Sequence, residues 1–207
     1  MLDLHAPVLP LGQGEPLTDD EYVRDFRARR AAIRNGDSWK LERLQHFEEE
    51  DSPSREAQRQ GDWETALRLM EARRDAFREA AQDDERRGSP FHRVRVVEEP
   101  LTPYLQWELH YLRQRAQCGH RIRVVQAGVF AAAETDRLLP ELTILDDRTL
   151  YRVMYTEAGV AEGAVRFTDS AIVEPWVSFI RDAYAVGEDV TLYFDRVVAR
   201  LPPPPAA

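Results

Sequence analysis

From Asp62 to about Ala81 the apolar positions Trp63, Leu67, Met70, Phe77 and Ala81 recur at steps of three, four and seven, and Arg, Glu and Asp fill the opposite face. That period predicts an amphipathic helix. A weaker helical pattern precedes it. Thr18 caps it, Asp19, Asp20 and Glu21 occupy its first turn, Tyr22, Phe26 and Ile33 mark one face, and Asn35-Gly36 ends it. Between the two, Trp39, Leu41, Leu44 and Phe47 are spaced for a short buried element. Residues 1–17 hold three prolines and two glycines without any period and read as an irregular lead-in.

Past the polar link at 82–90 the period changes. Residues 92–99 (HRVRVVEE) alternate and predict a strand. Leu101-Thr102-Pro103 supplies a hydrophobic residue, a cap and a first-turn proline for a helix over 103–118, which Gly119 stops. Residues 120–128 (HRIRVVQAG) predict a second strand, so the unit is a right-handed βαβ with parallel strands. Alternation returns in 142–146, 149–157 and 160–169, joined by tight turns at Asp146-Asp147-Arg148 and Ala158-Gly159, which predicts an antiparallel meander. A helix is expected from Pro175, with Trp176, Phe179, Ile180, Ala183 and Tyr184 on one face and Gly187 at its end. Residues 188–201 fit strand or helix; Val190, Phe194, Val197 and Leu201 favour helix. The expected fold is a mixed α/β (α+β) one, a sheet with a βαβ core and an antiparallel meander. Residues 18–90 form a helical N-terminal region packed on an α/β domain over 91–201, and 202–207 form a proline-rich tail.

Composition narrows the function classes. A chain of 207 residues with 43% hydrophobic residues can bury a sizeable core, and a net charge of −9 argues against non-specific binding to nucleic acid or anionic lipid. Cys118 is the lone cysteine, which excludes an internal disulfide. No apolar run has the roughly 18 residues of a membrane helix, and the first basic residue is Arg24, so no basic signal-peptide start is present and a cytoplasmic location is expected. Phosphate loops, nucleophile elbows and zinc motifs are missing, and no cofactor, metal site or catalytic residue is expected. The acidic run Glu48–Asp51 reads as a solvated turn, because a carboxylate metal site needs ligands converging from different segments. Cys118 and His120 form a nucleophile–base pair only on paper, since the helix-ending Gly119 between them turns the two side chains apart.

Charge is spread unevenly. Residues 92–133 carry six arginines against three glutamates, whereas 134–191 carry twelve acids against five arginines. Period two puts Arg93 and Arg95 on one face of their strand, and Arg121 and Arg123 on one face of the next. Paired in register, the four guanidiniums would share a face and need carboxylates of the fold, a bound anion or an acidic partner between them. The helix over 103–118 has a second face, Tyr104, Trp107 and Tyr111, which either lies under the N-terminal helices or offers an aromatic contact surface.

Two resemblances add to this reading. The order strand, long helix, strand, antiparallel strands, helix resembles half of a phospholipase D-like domain, whose mark is His-x-Lys and, after four further residues, Asp. Here the segment reads Leu139-Pro140-Glu141 and then Asp146, with leucine for the histidine and glutamate for the lysine. That departure removes the nucleophile and the phosphate-binding cation. The stretches SWKLERLQHFEEEDSPSREA, GDWETALRLMEARR, FHRVRVVEEPLTPYLQWELHYL, CGHRIRVV and VSFIRDAY resemble an uncharacterised actinobacterial family, domain of unknown function 6879, from about residue 35 to the C-terminus. His120 stands where that family has a glutamate. Such proteins are often encoded beside helix-turn-helix regulators and small acidic proteins. The resemblance therefore implies a non-enzymatic regulatory or accessory module acting through protein contacts, with such a protein as partner and a small anionic ligand as a further one. An enzyme acting on a phosphate-containing small molecule or nucleic acid is the alternative. Neither membrane association nor direct nucleic-acid binding is expected.

Overall fold

The computed structural model describes residues 5–49 and 51–206. The first four residues of the lead-in, Glu50 of the acidic run and Ala207 of the tail lie outside them. One sheet of eight strands organises the chain, in the order β1 (Glu15–Leu17), β7 (Ala161–Phe167), β6 (Thr149–Tyr155), β5 (Leu142–Leu145), β2 (Ser38–Glu42), β3 (Phe91–Val97), β4 (Arg121–Gln126), β8 (Glu188–Asp189). The strands β2, β3 and β4 run parallel, and the remaining pairings are antiparallel. The βαβ unit is β3, α5 (Pro103–Gln117) and β4, and β5–β6–β7 is the meander. This is the mixed α/β fold that the periodicity predicts.

Residues 38–42, expected inside a helical region, are instead a central strand between β5 and β3. Trp39 and Leu41 point to one face and Ser38, Lys40 and Glu42 to the other, and every one except Lys40 is buried. A five-residue strand buried on both faces except at Lys40 has too few turns of any period to declare itself. The sheet thus draws strands from both sides of residue 90. The lead-in also contributes, since β1 pairs with β7 at the sheet edge.

The helix predicted over 62–81 is two helices, α3 (Trp63–Glu71) and α4 (Arg74–Arg86). The break falls where the apolar stripe lapses at Arg73-Arg74, and Arg73 N bonds back only to Met70 O at 3.0 Å. The helix expected from Pro175 starts earlier: α6 spans Ser170–Val186, because Asp169 caps it through Ala171 N at 2.9 Å. After the short β8, residues 190–198 are helical as expected, as α7 (Val190–Tyr193) followed by a π turn.

Three packing zones cover the sheet. On one face α6 buries Val173, Trp176, Val177, Ile180 and Ala183 against Trp39, Leu41, Val94, Val96, Ile144 and Leu150. On the other face α5 and α7 bury Leu105, Leu109, Leu112, Val190 and Phe194 against Val97, Ile122 and Val124. Beyond them α1 (Asp19–Ala32) lays Tyr22, Phe26 and Ile33 on Leu145, Tyr151 and Ala164 of the meander. Between α1 and α5 the strip of β2 and β3 that carries Lys40, Glu42 and Arg93 lies open as a cleft.

Candidate anion-binding cleft

Strand register decides where the arginines go. His92 pairs with Arg121 and Val94 with Arg123, while Arg93 faces Ile122 and Arg95 faces Val124. Residues directly opposite share a face, so the four guanidiniums do not. Arg93 and Arg95 lie on the α5 face, and Arg121 and Arg123 on the α6 face. The apolar residues force this offset: β3 sends Val94 and Val96 into the α6 core, whereas β4 sends Ile122 and Val124 into the α5 core. Arg121 is exposed at the start of β4. Arg123 donates to Gly187 O at 2.9 Å and lies over the Tyr184 ring at 5.0 Å, where it secures the end of α6.

On the α5 face Arg95 is fully buried. Its Nε donates to Glu108 Oε2 at 2.7 Å and its Nη1 to the carbonyls of Glu42 and Val96 at 3.2 and 3.1 Å, and the guanidinium lies 5.5 Å from the Phe47 ring centre. Burial lifts the Glu108 carboxyl above its usual range, against the pull of Arg95. Arg95 is sealed inside the fold, while Glu108, 4% exposed, reaches the wall of the larger of two adjoining cavities.

Arg93 keeps 17% of its side chain exposed and Lys40 26%, which sets both apart from Arg95 as reachable from solvent. Both bind the same carboxylate, Glu42, at 3.0 and 2.6 Å. Burial alone would raise Glu42, but Arg93, Lys40 and Arg95 together hold it at about 2. A third cation, Arg115 of α5, has no carboxylate partner among the described residues. It is half-buried, lies 5.4 Å from the Phe77 ring centre and 5.7 Å from that of Tyr111, and its Nε is buried without a hydrogen-bond partner. Burial, and then Arg93, pull its pKa down. Lys40 and Arg93 thus share Glu42, Arg95 takes Glu108, and Arg115 is left without a carboxylate of its own.

These groups wall two adjoining cavities of about 340 and 470 Å³, both of which are lined by Lys40, Arg93 and Arg115. The smaller runs under α1, where Tyr22, Phe26 and Phe91 give it an aromatic side. The larger opens toward Arg73 and toward the carboxylates of Asp19, Glu48, Glu49 and Asp51, with Glu42 and Glu108 deeper in its wall. An anion seated against Lys40, Arg93 and Arg115 would meet charge-assisted donors from three elements in partly desolvated surroundings, where such bonds are strongest. Of the residues that form this wall, sequence pattern singled out only Arg93. Lys40 is the single lysine of the chain and Arg115 sits beyond the apolar face of α5; nothing local ties them together, because β2 reaches β3 only through the sheet.

The other sequence candidates separate. Tyr104 and Trp107 are 1% and 3% exposed, so they offer no contact surface. The short α2 (Pro53–Arg59) and Phe47 cover them, with Trp107 Nε1 donating to Ser54 Oγ at 3.0 Å and Tyr104 OH to Glu49 at 3.2 Å. Tyr111, half-buried, lines the cleft. Cys118 Sγ is directed to Arg74 O and His120 Nε2 donates to Phe77 O at 3.0 Å, so each addresses a different carbonyl. Leu139 is buried in the α6 core and Asp146 sits in the β5–β6 turn with φ 54°. Among the described residues no three His, Cys, Asp or Glu side chains are placed to hold a metal ion.

Glu141 has a role of its own. Its Oε1 accepts from Arg43 N at 2.7 Å and Leu44 N at 2.6 Å, fixing the exit of β2, while Oε2 is buried without a partner. Burial outweighs those two hydrogen bonds and pushes the carboxyl up to about 7. Because the folded pKa lies above the unfolded one, the fold is favoured at low pH and loses this contribution as pH rises from about 4.5 through 7. Glu141→Gln keeps the accepting oxygen and removes the charge. It should therefore raise stability by about 2–3 kcal/mol at pH 8 and change it little at pH 5, as read by urea unfolding at the two pH values. A variant equally or less stable at pH 8 would show that the buried charge carries no cost.

Comparison with known proteins places the chain in one family. No curated protein matches it. Among solved structures it is similar to TrmBL2, an archaeal chromatin protein whose structure shows a novel mode of DNA binding, at 10% identity and a TM-score of 0.41. That likeness covers 88% of this chain and 55% of TrmBL2, so the chain spans little more than half of that protein's length. At this score the two share no more than a distant likeness, and DNA binding is a property of TrmBL2. A family profile, by contrast, matches residues 20–195, which includes α1, the whole of α5 and every strand except β1. The chain belongs to the DUF6879 family, a domain of unknown function.

Proposed function

We propose that this protein is a non-enzymatic, cytoplasmic accessory module that binds a small dianion, a phosphate ester of an aromatic or similarly flat molecule, and acts through contacts with a protein partner. A helix-turn-helix regulator or a small acidic protein is the partner this reading favours. Arg115 carries the proposal: a half-buried guanidinium without a carboxylate, beside Lys40 and Arg93, which share one. The smaller cavity, lined by Lys40, Arg93 and Arg115 with Asp84 as its single carboxylate, suits a phosphate monoester, and Tyr22, Phe26 and Phe91 offer its ring a place to lie. Among the described residues no helix is long and apolar enough to cross a membrane, in keeping with partners met in water.

Phenyl phosphate is the probe. It should raise the melting temperature of the wild type in a concentration-dependent way, since a ligand bound only by the folded state stabilises it by mass action. Arg115→Gln should fold normally and weaken binding at least about tenfold, the loss of one charge-assisted hydrogen bond being worth about 1.5–3 kcal/mol. An unresponsive wild type would refute the site. Release of inorganic phosphate from the probe would overturn the non-enzymatic part and support an enzyme acting on phosphate esters.

A further inference from the structure

A further cavity, of about 200 Å³, lies on the opposite face of the sheet, where the lead-in and the loop before β5 meet the α6 layer. Leu9, Leu139 and Trp176, which are 6%, 4% and 1% exposed, give it an apolar floor. Its lips are apolar too, since Val8 and Leu138 stand 79% and 50% exposed beside it. Two guanidiniums interrupt this lining, those of Arg137 and Arg152. Arg152 is half-buried on β6 opposite Leu142, on the side of the sheet that α6 covers. Among the described residues neither the exposed Arg137 nor Arg152 makes an ion pair or a hydrogen bond, whereas Arg123, also half-buried on the α6 face, donates to Gly187 O and lies over the Tyr184 ring. Asp136, which also lines the cavity, pairs with neither. Burial and the nearness of Arg137 both disfavour the charge on Arg152. The Trp176 Nε1–H is likewise buried without an acceptor.

Two like charges side by side at this pocket, Arg152 half-buried and Arg137 exposed, repel each other unless something negative joins them. With Asp136 counted, the lining carries one net positive charge. The arginine fork pairs with a planar carboxylate in two parallel hydrogen bonds. The volume is somewhat more than the ~150 Å³ that accepts benzene in an apolar protein cavity. We infer that this pocket binds a small monocarboxylate with a compact apolar body, the carboxylate between Arg137 and Arg152 and the apolar part against Leu9, Leu139 and Trp176. This site is independent of the Lys40 cleft, which lies across the sheet.

Benzoate and its neutral analogue benzamide test the assignment, followed by titration calorimetry and by the indole N–H signals in nuclear magnetic resonance spectra, with that of Trp176 identified by Trp176→Phe. Benzoate should bind the wild type saturably, shift the Trp176 signal, and bind at least tenfold more tightly than benzamide. Arg152→Gln should weaken benzoate at least tenfold. Arg137→Gln, an exposed change that leaves the strand untouched, should do the same and decides the matter if the Arg152 variant does not fold. Arg115→Gln should leave benzoate binding unchanged. The inference is overturned if benzoate does not bind, if benzamide binds as well, or if the Arg115 variant loses benzoate, which would place it in the cleft.

Discussion

Replacing Arg95 with alanine should destabilise the protein by about 3–5 kcal/mol, because the change strands the buried Glu108 carboxylate without its partner. Arg95 is fully buried, ties Glu108 at 2.7 Å and reaches two main-chain carbonyls of β2 and β3. Removing both charges together has another outcome. Arg95→Met with Glu108→Leu fills the same space without ions, and it should lie much closer to wild type than the single variant, since the desolvation of both groups disappears with their attraction. Urea unfolding of the three proteins measures the difference. A single variant within about 1 kcal/mol of wild type would show that Glu108 finds other support, and the division between sealed Arg95 and open Arg93 would lose its basis.

Acid should weaken the fold well above the pH at which carboxylates titrate. Burial, helped by Arg113, lowers the pKa of His110 to about 4, and burial, helped by Arg115, does the same for His120. Both folded values lie below the unfolded one of about 6.5, so the unfolded chain takes up protons first. The contribution of each histidine is complete above pH 6.5 and is lost as pH falls toward 4, at up to about 1.4 kcal/mol per unit for His110 and less for the more solvent-screened His120. Glu141 works the other way between pH 7 and 4.5, which leaves a net loss of at most about 2 kcal/mol over that range. His120→Gln can still donate to Phe77 O and does not titrate, so its stability should depend on pH much less. An unchanged slope between pH 6.5 and 4.5 in that variant would place the acid sensitivity elsewhere.

Where the chain offers long periodic segments, the fold is legible from the residues. The unit β3–α5–β4 and the meander follow from alternation, a proline cap and tight turns. Short elements are not legible: β2 has five residues, buried on both faces except at Lys40, and its neighbours at Leu44 and Phe47 blur period two into a helical spacing. Register is hidden for a different reason. His92-Arg-Val-Arg and His120-Arg-Ile-Arg share one pattern, yet one strand owes its apolar residues to α6 and the other to α5. The repeat therefore pairs one residue out of phase, and the guanidiniums part to opposite faces. The cleft is legible only in part because its cations come from β2, β3 and α5, whose meeting depends on that register. The aromatic face of α5 turned out to be packing, since α2 and Phe47 cover Tyr104 and Trp107.

Lys40 offers the most direct test of the central claim, that the cleft between α1 and α5 is an open anion site. It is the only lysine of the chain, so selective ¹⁵N-lysine labelling gives one backbone amide signal, from the middle of the cleft wall. Phenyl phosphate should shift that signal saturably in the wild type, and at least tenfold more ligand should be needed in Arg115→Gln. A Lys40 signal that stays in place at every phenyl phosphate concentration would contradict the account.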